Sequence, residues 1–182
     1  AVQLKRLRAR SRKIDDRISR ELSLPRLEND GLLFQPNSDE GARLILELLR
    51  ESPVNLWRRF RYNHQEPRAV LKILEEVTGI DPLYPTDDLL IDSDLPRRFP
   101  PDFARMHNLL PVFYDAQGVQ VLTVTPFLGT LASECATLLG APVRLRLTEP
   151  EFLERLIETT YQNLGEADEE ESDSDVADDW QK

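Results

Sequence analysis

The stretch HNLLPVFYDAQGVQVLTVTP, residues 107–126, decides the fold of this chain. It predicts one strand over LLPVFYD (109–115) and a second over VQVLTVT (119–125), because both runs are rich in β-branched and aromatic residues. The DAQG segment between them predicts a tight turn with Gly118 at positive φ, and Pro126 ends the second strand. The centre of the chain is therefore predicted to be a β-hairpin.

The residues after the hairpin predict a helix, a third strand and a final helix. The first helix has the apolar positions Leu128, Leu131, Ala132, Cys135, Leu138 and Leu139, and Gly140 ends it. PVRLRLT then alternates, with apolar residues on one side of the strand and Arg144 and Arg146 on the other. Thr148 and Glu151 form a capping box for a helix that is expected to end near Asn163. Since a helix connects the second and third strands, these two strands should be parallel.

The residues before the hairpin predict three helices and then a proline-rich segment. Ser38 and Ser52 are expected to cap the first two helices, and Gly79 to end the third. The second helix is expected to bury Val54, Trp57, Phe60 and Arg61. Five prolines between residues 80 and 101 indicate extended chain with turns. A short helix should open at Pro101, with Phe103, Ala104 and Met106 facing inward.

These elements predict an α+β fold: a helical N-terminal part, then a small β-β-α-β-α domain with helices packed on a three-stranded sheet. We expect a basic amphipathic helical arm over residues 1–24, a helical subdomain over 25–66, an α/β docking domain over 67–164 and an acidic disordered linker over 165–182. A chain of 182 residues is long enough for one ordinary domain or two small ones.

The net charge of −10 is unevenly distributed along the chain. Residues 1–26 contain nine Lys/Arg and three acids, whereas residues 165–180 contain nine acids and no base. Overall acidity argues against nucleic acid as a partner. The basic arm has one apolar stripe, formed by Leu7, Ile14, Ile18 and Leu22, which we expect to dock on its own domain or on a neighbouring protein. A membrane-surface helix is the less favoured alternative, because the stripe has no large aromatic residue. Direct membrane insertion is not expected, because no apolar run is long enough to span a bilayer.

Few residues suggest catalysis or metal binding. The chain has no GxxxxGK[ST] loop and no GxGxxG motif, and His64, His107 and Cys135 lack the spacing of metal ligands. Cys135 lies on an apolar stripe and is expected to be buried and inert, while His107 is expected to be structural. The pairs Asp87/Asp88 and Glu75/Glu76 leave a small hydrolase open, but a solvated face explains them better. Arg144 and Arg146 could bind a phosphate or an acidic partner surface.

Three segments together resemble the N-terminal domain of the assembly ATPases of type II secretion and type IV pili. They are LEEVTGIDPLYP (74–85), PPDFARMHNLLPVFYDAQGVQVLTVTP (100–126) and LLGAPVRLRLTEPEFLERLIETTYQ (138–162). The acidic DSDVADDWQK (173–182) is also similar to the linker that leads into the ATPase core in that family. The first 66 residues do not share the resemblance.

The resemblance implies a cytoplasmic, non-catalytic domain, peripheral at the inner membrane, that docks on the cytoplasmic domain of a platform protein. Partner contacts are assigned to the arm stripe (Leu7, Ile14, Ile18, Leu22) and to Arg144 and Arg146. No cofactor is expected in this chain, since ATP and Mg²⁺ would bind a core beyond Lys182, where hexamers would form. The chain does not begin with Met, so we expect it to be a processed product or a piece of a longer protein.

Some members of the family bind a cyclic dinucleotide through an Arg-Leu-Gly motif. Here the corresponding residues are Arg26, Leu27 and Glu28, so the third position departs from the motif. Because some family members bind a cyclic dinucleotide, a receptor for cyclic di-GMP is the alternative function, and the departure at Glu28 argues against it.

Overall fold

The computed structural model describes residues 27–86 and 88–177, with side chains described for 31–86 and 88–166. The chain divides into two compact units, residues 1–31 and 32–182. The predicted arm over 1–24, with its apolar stripe, lies outside the described residues. The first unit is described only from Leu27, where a 3₁₀ helix, Leu27–Phe34, begins.

The second unit starts with a layer of three α-helices: α1 (Asp39–Glu51), α2 (Pro53–Tyr62) and α3 (Pro67–Thr78). The caps predicted for these three helices are confirmed. The Ser38 hydroxyl accepts from the Gly41 N–H at 3.0 Å and the Ser52 hydroxyl from the Asn55 N–H at 3.4 Å. Gly79 ends α3 in the left-handed region, with φ 70°.

The three helices share one apolar core. Its buried members are Leu33, Ile45, Leu49, Leu56, Trp57, Phe60, Val70, Leu71, Leu74 and Leu147. The predicted buried side of α2 was partly wrong, because Val54 is 42% exposed and Arg61 is exposed, whereas Leu56 and Arg59 are buried. Leu56 shares a face with Trp57 and Phe60, and burying this larger apolar group turns Val54 outward.

The proline-rich segment after α3 is mostly extended, as predicted, but it also contains a short helix that was not predicted, α4 (Asp94–Arg97). Helix α5 (Pro101–His107) begins at the expected proline and buries Ala104. Met106 was expected to face inward and is instead 74% exposed. It lies two residues after Ala104, about 200° around the helix, and so points away from the face that packs on the sheet.

Three strands in the described part of the chain form one mixed sheet in the order β1-β2-β3. They are β1 (Leu109–Asp115), β2 (Gly118–Thr123) and β3 (Val143–Leu147). β1 is antiparallel to β2, with Leu110 opposite Leu122, and β2 is parallel to β3, with Val121 opposite Leu145. The hairpin, the parallel third strand and the α+β class are confirmed.

The predicted turn is also confirmed. Gly118 has φ 125°, and the Asp115 side chain accepts from the Gln117 N–H at 2.7 Å. The pairing of β1 shifts register between Pro111 and Phe113. Proline has no N–H to donate to a neighbouring strand. It is therefore tolerated at bulges and in edge strands, and β1 is an edge strand.

Helices cover both faces of the sheet. Helix α6 (Leu131–Leu139) shares a core with Leu95, Phe99, Leu109, Val119 and Val121. Helix α7 (Pro150–Ala177) brings Phe152, Leu153 and Ile157 to the opposite face, against Leu110, Val112 and Leu122. In α6, Cys135 and Leu139 are buried as predicted, but Leu138 is 39% exposed.

The predicted end of the last helix, near Asn163, was wrong. α7 continues to Ala177, so residues 165–177 are helical instead of the disordered linker that their composition predicted. A helix that is already nucleated by packing can extend at little cost per residue, and four of the residues in this extension are Glu, which favours helix.

The helical layer packs against one end of the sheet. Leu147, the last residue of β3, is 1% exposed and belongs to the core of the helical layer. The Thr125 hydroxyl lies 3.3 Å from the Leu49 carbonyl oxygen and donates to it. Helix α3 packs with α1 and α2, although the sequence had placed residues 67–78 in the docking domain.

Candidate functional site

Cys135 cannot act as a nucleophile in this structure. Its side chain is fully buried in the core under α6. Burial, together with the nearby Glu134 carboxylate, raises the pKa of the thiol to about 11. The thiolate is therefore scarce near neutral pH, and the expectation of a buried, inert cysteine is confirmed.

The two histidines lie apart and serve different local roles. The His107 ring packs edge-on against Phe103, with 4.8 Å between the ring centroids. His64 is exposed and follows the end of α2, with φ 58°. Neither forms a metal site with its neighbours: the described residues contain no group of three or more His, Cys, Asp or Glu side chains placed to hold a metal ion.

The acidic pairs do not form a described catalytic dyad. Glu75 is half-buried and Glu76 is exposed on α3, which agrees with a solvated helix face. Asp88 is exposed, whereas Asp87 lies outside the described residues.

Arg144 and Arg146 hold the start of the proline-rich segment against β3. Arg144 Nη2 lies 2.6 Å from Asp81 Oδ2, and Arg146 donates to the carbonyl oxygens of Asp81 (3.2 Å) and Pro82 (2.8 Å). The backbone continues this link, because Leu83 N–H donates to the Leu147 carbonyl at 2.8 Å. Both guanidinium groups thus have intramolecular partners. Their assignment to a partner surface stays a prediction, as does that of Leu7, Ile14, Ile18 and Leu22, which lie outside the described residues.

A cleft beside α2 is the feature that the sequence did not reveal. Its volume is about 310 Å³, and it is lined by Trp57, Arg61, His64, Gln65, Glu66, Pro67, Val70 and Glu149. We call it the Trp57 cleft. Trp57 and Val70, which are 4% and 1% exposed, form its floor. In the sequence, the only sign of this cleft was a tryptophan among polar residues, and Trp57 was assigned to the apolar face of the helix.

An ion-pair network borders the cleft and joins the helical layer to the start of α7. Arg61 forms a hydrogen-bonded ion pair with Glu151, and its Nη2 lies 3.3 Å from Glu149 Oε1. The hydrogen bond to Glu151 raises the pKa of the Arg61 guanidinium, which is charged in any case. The ion pairs therefore hold these three charged side chains at the rim of the Trp57 cleft, and none of the three is placed there as a proton donor or acceptor for catalysis.

None of the described helices combines the length and the apolar character that crossing a bilayer requires. With respect to known proteins, no curated protein matches the chain. The model of the MshEN domain family matches residues 82–167, a range that begins in the proline-rich segment, includes all three strands and ends within α7. This match confirms the resemblance seen in the sequence. Over residues 82–167 the chain thus carries an MshEN domain, the non-catalytic N-terminal domain of MshE/GspE-type secretion and pilus ATPases.

Proposed function

We propose that this chain is the docking part of a secretion ATPase and binds the cytoplasmic domain of an inner-membrane platform protein. The observation that carries the proposal is the MshEN match over the whole mixed sheet. The buried, protonated Cys135 and the solvated acidic pair on α3 agree with a binding role. In this proposal the domain is cytoplasmic and reaches the inner membrane only through its partner.

The proposed contact surface includes the basic arm and the β3 arginines. Leu7, Ile14, Ile18 and Leu22 would pack on the partner, and the surrounding Lys and Arg would attract acidic groups on it. Arg144 keeps part of its side chain, 37%, exposed beside its bond to Asp81, so it can still meet a partner surface.

The test is calorimetric binding of the chain to the cytoplasmic domain of the platform protein of the same secretion system. We expect Ile18→Asp to weaken binding roughly tenfold, because it places a charge in the apolar stripe. Ala9→Asp is the matched control, since it adds the same charge nine residues away, on the opposite side of the helical pattern. Affinity should also fall as salt rises. A chain without measurable affinity for this partner would contradict the docking proposal.

The ATPase core is proposed to lie beyond Lys182, where it would bind ATP and Mg²⁺ and assemble a hexamer. Sequencing the gene downstream of the Lys182 codon tests this directly. A GxxxxGK[ST] motif within the next few hundred residues supports it, whereas a stop codon just after Lys182 contradicts it.

Binding of cyclic di-GMP is the alternative. The Arg26–Leu27–Glu28 sequence departs from the family motif, and the β3 arginines already have partners at Asp81 and Pro82. We therefore expect no heat on titrating cyclic di-GMP to high micromolar concentration, and a saturable signal would favour the alternative.

A further inference from the structure

The Trp57 indole is a buried donor without an acceptor. The residue is 4% exposed, and among the residues that the structure describes its Nε1 has no hydrogen-bond partner. Burying an unpaired N–H costs free energy that a ligand acceptor can recover. Because Trp57 also lines the cleft, its indole N–H is a candidate donor to an acceptor that enters the cleft. Gln65, another lining residue, makes a long 3.4 Å bond from its Nε2 to the Asn63 carbonyl.

The charges around the cleft favour a cation. Arg61 is already paired with Glu149 and Glu151, so it contributes little free positive charge. Glu66 is exposed at the rim, and among the side chains that the structure describes it has no ion-pair partner. A ligand with a Lys or Arg side chain would supply the missing positive charge.

An acidic groove continues from the cleft through Glu149, which lines both. This groove has a volume of about 590 Å³, and its lining residues are Glu149, Glu151, Glu154, Arg155, Glu158 and Thr159. Four of the six are carboxylates. Glu149 and Glu151 are paired with Arg61, and Glu158 is paired with Arg105, so among the described side chains Glu154 is the carboxylate of the groove that has no ion-pair partner. The cleft and the groove share Glu149 and therefore adjoin, so one extended chain could contact both.

We propose that the Trp57 cleft and the acidic groove bind an extended basic peptide segment of a partner protein. One backbone carbonyl of the segment accepts from Trp57 Nε1, one Lys or Arg lies beside Glu66, and the next basic residue lies along the groove near Glu154. This inference goes beyond the docking function, because the site would recognise the basic charge and extended form of a peptide segment, whichever protein supplies that segment.

The test follows the indole N–H directly by ¹⁵N–¹H NMR of the chain. The chain has two tryptophans: Trp57 reports on the cleft, whereas Trp180 follows the nine acids of residues 165–180 and reports the attraction of a basic peptide to them. Trp57→Phe assigns the two signals. The probe is an acetylated, amidated Lys-Gly-Lys-Gly-Lys peptide, and its Glu-Gly-Glu-Gly-Glu counterpart is the control. We expect a saturable shift of the Trp57 signal with the lysine peptide and none with the glutamate peptide.

Variants of exposed carboxylates then locate the peptide. Glu66→Gln should weaken binding of the lysine peptide about fivefold, whereas Glu76→Gln, an exposed control outside the cleft, should not change it. Both substitutions are at surface positions and leave the core intact. The proposal is overturned if the Trp57 signal does not move, if both peptides shift it equally, or if the lysine peptide shifts it in Glu66→Gln with the same affinity as in the unchanged chain.

Discussion

Gln120 is the most unusual residue of the sheet. It lies at the centre of β2, opposite Phe113 on β1 and Arg144 on β3, and it is fully buried. Within the described part of the chain, neither its amide nitrogen nor its amide oxygen has a hydrogen-bond partner. By contrast, the buried hydroxyl of Thr123 donates to the Thr125 carbonyl, and that of Thr148 to the Leu83 carbonyl. Gln120 therefore lowers the stability of the fold.

We predict that Gln120→Met stabilises the protein by about 1–2 kcal/mol, because it keeps the shape of the side chain and removes both unpaired polar atoms. Urea unfolding followed by circular dichroism measures the change. Gln117→Met, at an exposed position in the hairpin turn, is the control and should have little effect. A loss of stability in Gln120→Met would show that the amide has a stabilising partner in solution.

Tyr161 anchors α7 to the segment around α4. Its hydroxyl lies 3.2 Å from the carbonyl oxygens of both Pro96 and Phe99. We predict that Tyr161→Phe costs about 1 kcal/mol, because one hydrogen bond is lost and the acceptors stay partly buried. Thermal unfolding checks this, with the exposed Tyr114→Phe as control; equal unfolding midpoints for the two variants would contradict the anchoring role.

The same tyrosine predicts a pH dependence. Burial raises the pKa of Tyr161 from 10.0 to about 12. A group whose pKa is higher in the folded state stabilises the fold below its unfolded pKa, and that contribution is lost as pH rises through the folded value. Stability should therefore fall between about pH 10 and 12, and Tyr161→Phe should remove part of this fall. Unfolding midpoints across that range measure it, and an identical slope in both proteins would refute it.

At the scale of elements, the hairpin turn and the third strand depend on each other. Gly118 has φ 125°, and a Cβ at this position would lie 2.3 Å from the Pro142 carbonyl oxygen. That oxygen accepts from the Val119 N–H at 2.8 Å, so the turn and the start of β3 are in direct contact. A side chain at Gly118 would both strain the backbone and separate the two segments.

We therefore predict that Gly118→Ala destabilises the protein by at least about 2 kcal/mol. Gly165→Ala is the matched control, and we expect it to raise the stability of the protein instead of lowering it. Gly165 is helical and has no atom within 4 Å of an added Cβ, so alanine should stabilise α7 by roughly 0.5–1 kcal/mol. Urea unfolding of the two variants compares them. Equal effects would mean that the turn tolerates a side chain in solution.

On the scale of the whole molecule, Leu147 connects the two halves of the second unit. It ends β3, where it pairs with Thr123, and it is buried in the core of the helical layer. A cavity at this position should loosen the helical layer and the sheet together. We expect the two halves to unfold as one cooperative unit.

The prediction is that Leu147→Ala lowers the free energy of unfolding by about 2–4 kcal/mol. Hydrogen exchange should show the same loss of protection for the Ile45 amide in α1 and the Val121 amide in β2. Leu138→Ala, at a half-exposed position of α6, is the control and should change both much less. A loss confined to Ile45 would show that the helical layer opens independently of the sheet.

The types and order of the predicted elements, and most of their boundaries, could be obtained from the sequence. Ser38, Ser52, Gly79 and Gly140 mark helix ends because capping depends on bonds within one or two turns. The hairpin and the parallel third strand follow in the same way from Gly118 and from the length of the helical connection. These features are local, so the residues that determine them are close together in the chain.

Only the tertiary structure decided which faces are covered and which polar groups meet. Met106 and Leu138 point outward, Arg144 and Arg146 bind Asp81 and Pro82, and the Trp57 cleft joins residues 57–70 to Glu149. Each of these outcomes depends on groups that lie far apart in the sequence. A periodic pattern predicts that a face is apolar, but the neighbour that covers it is set by the packing of the whole chain.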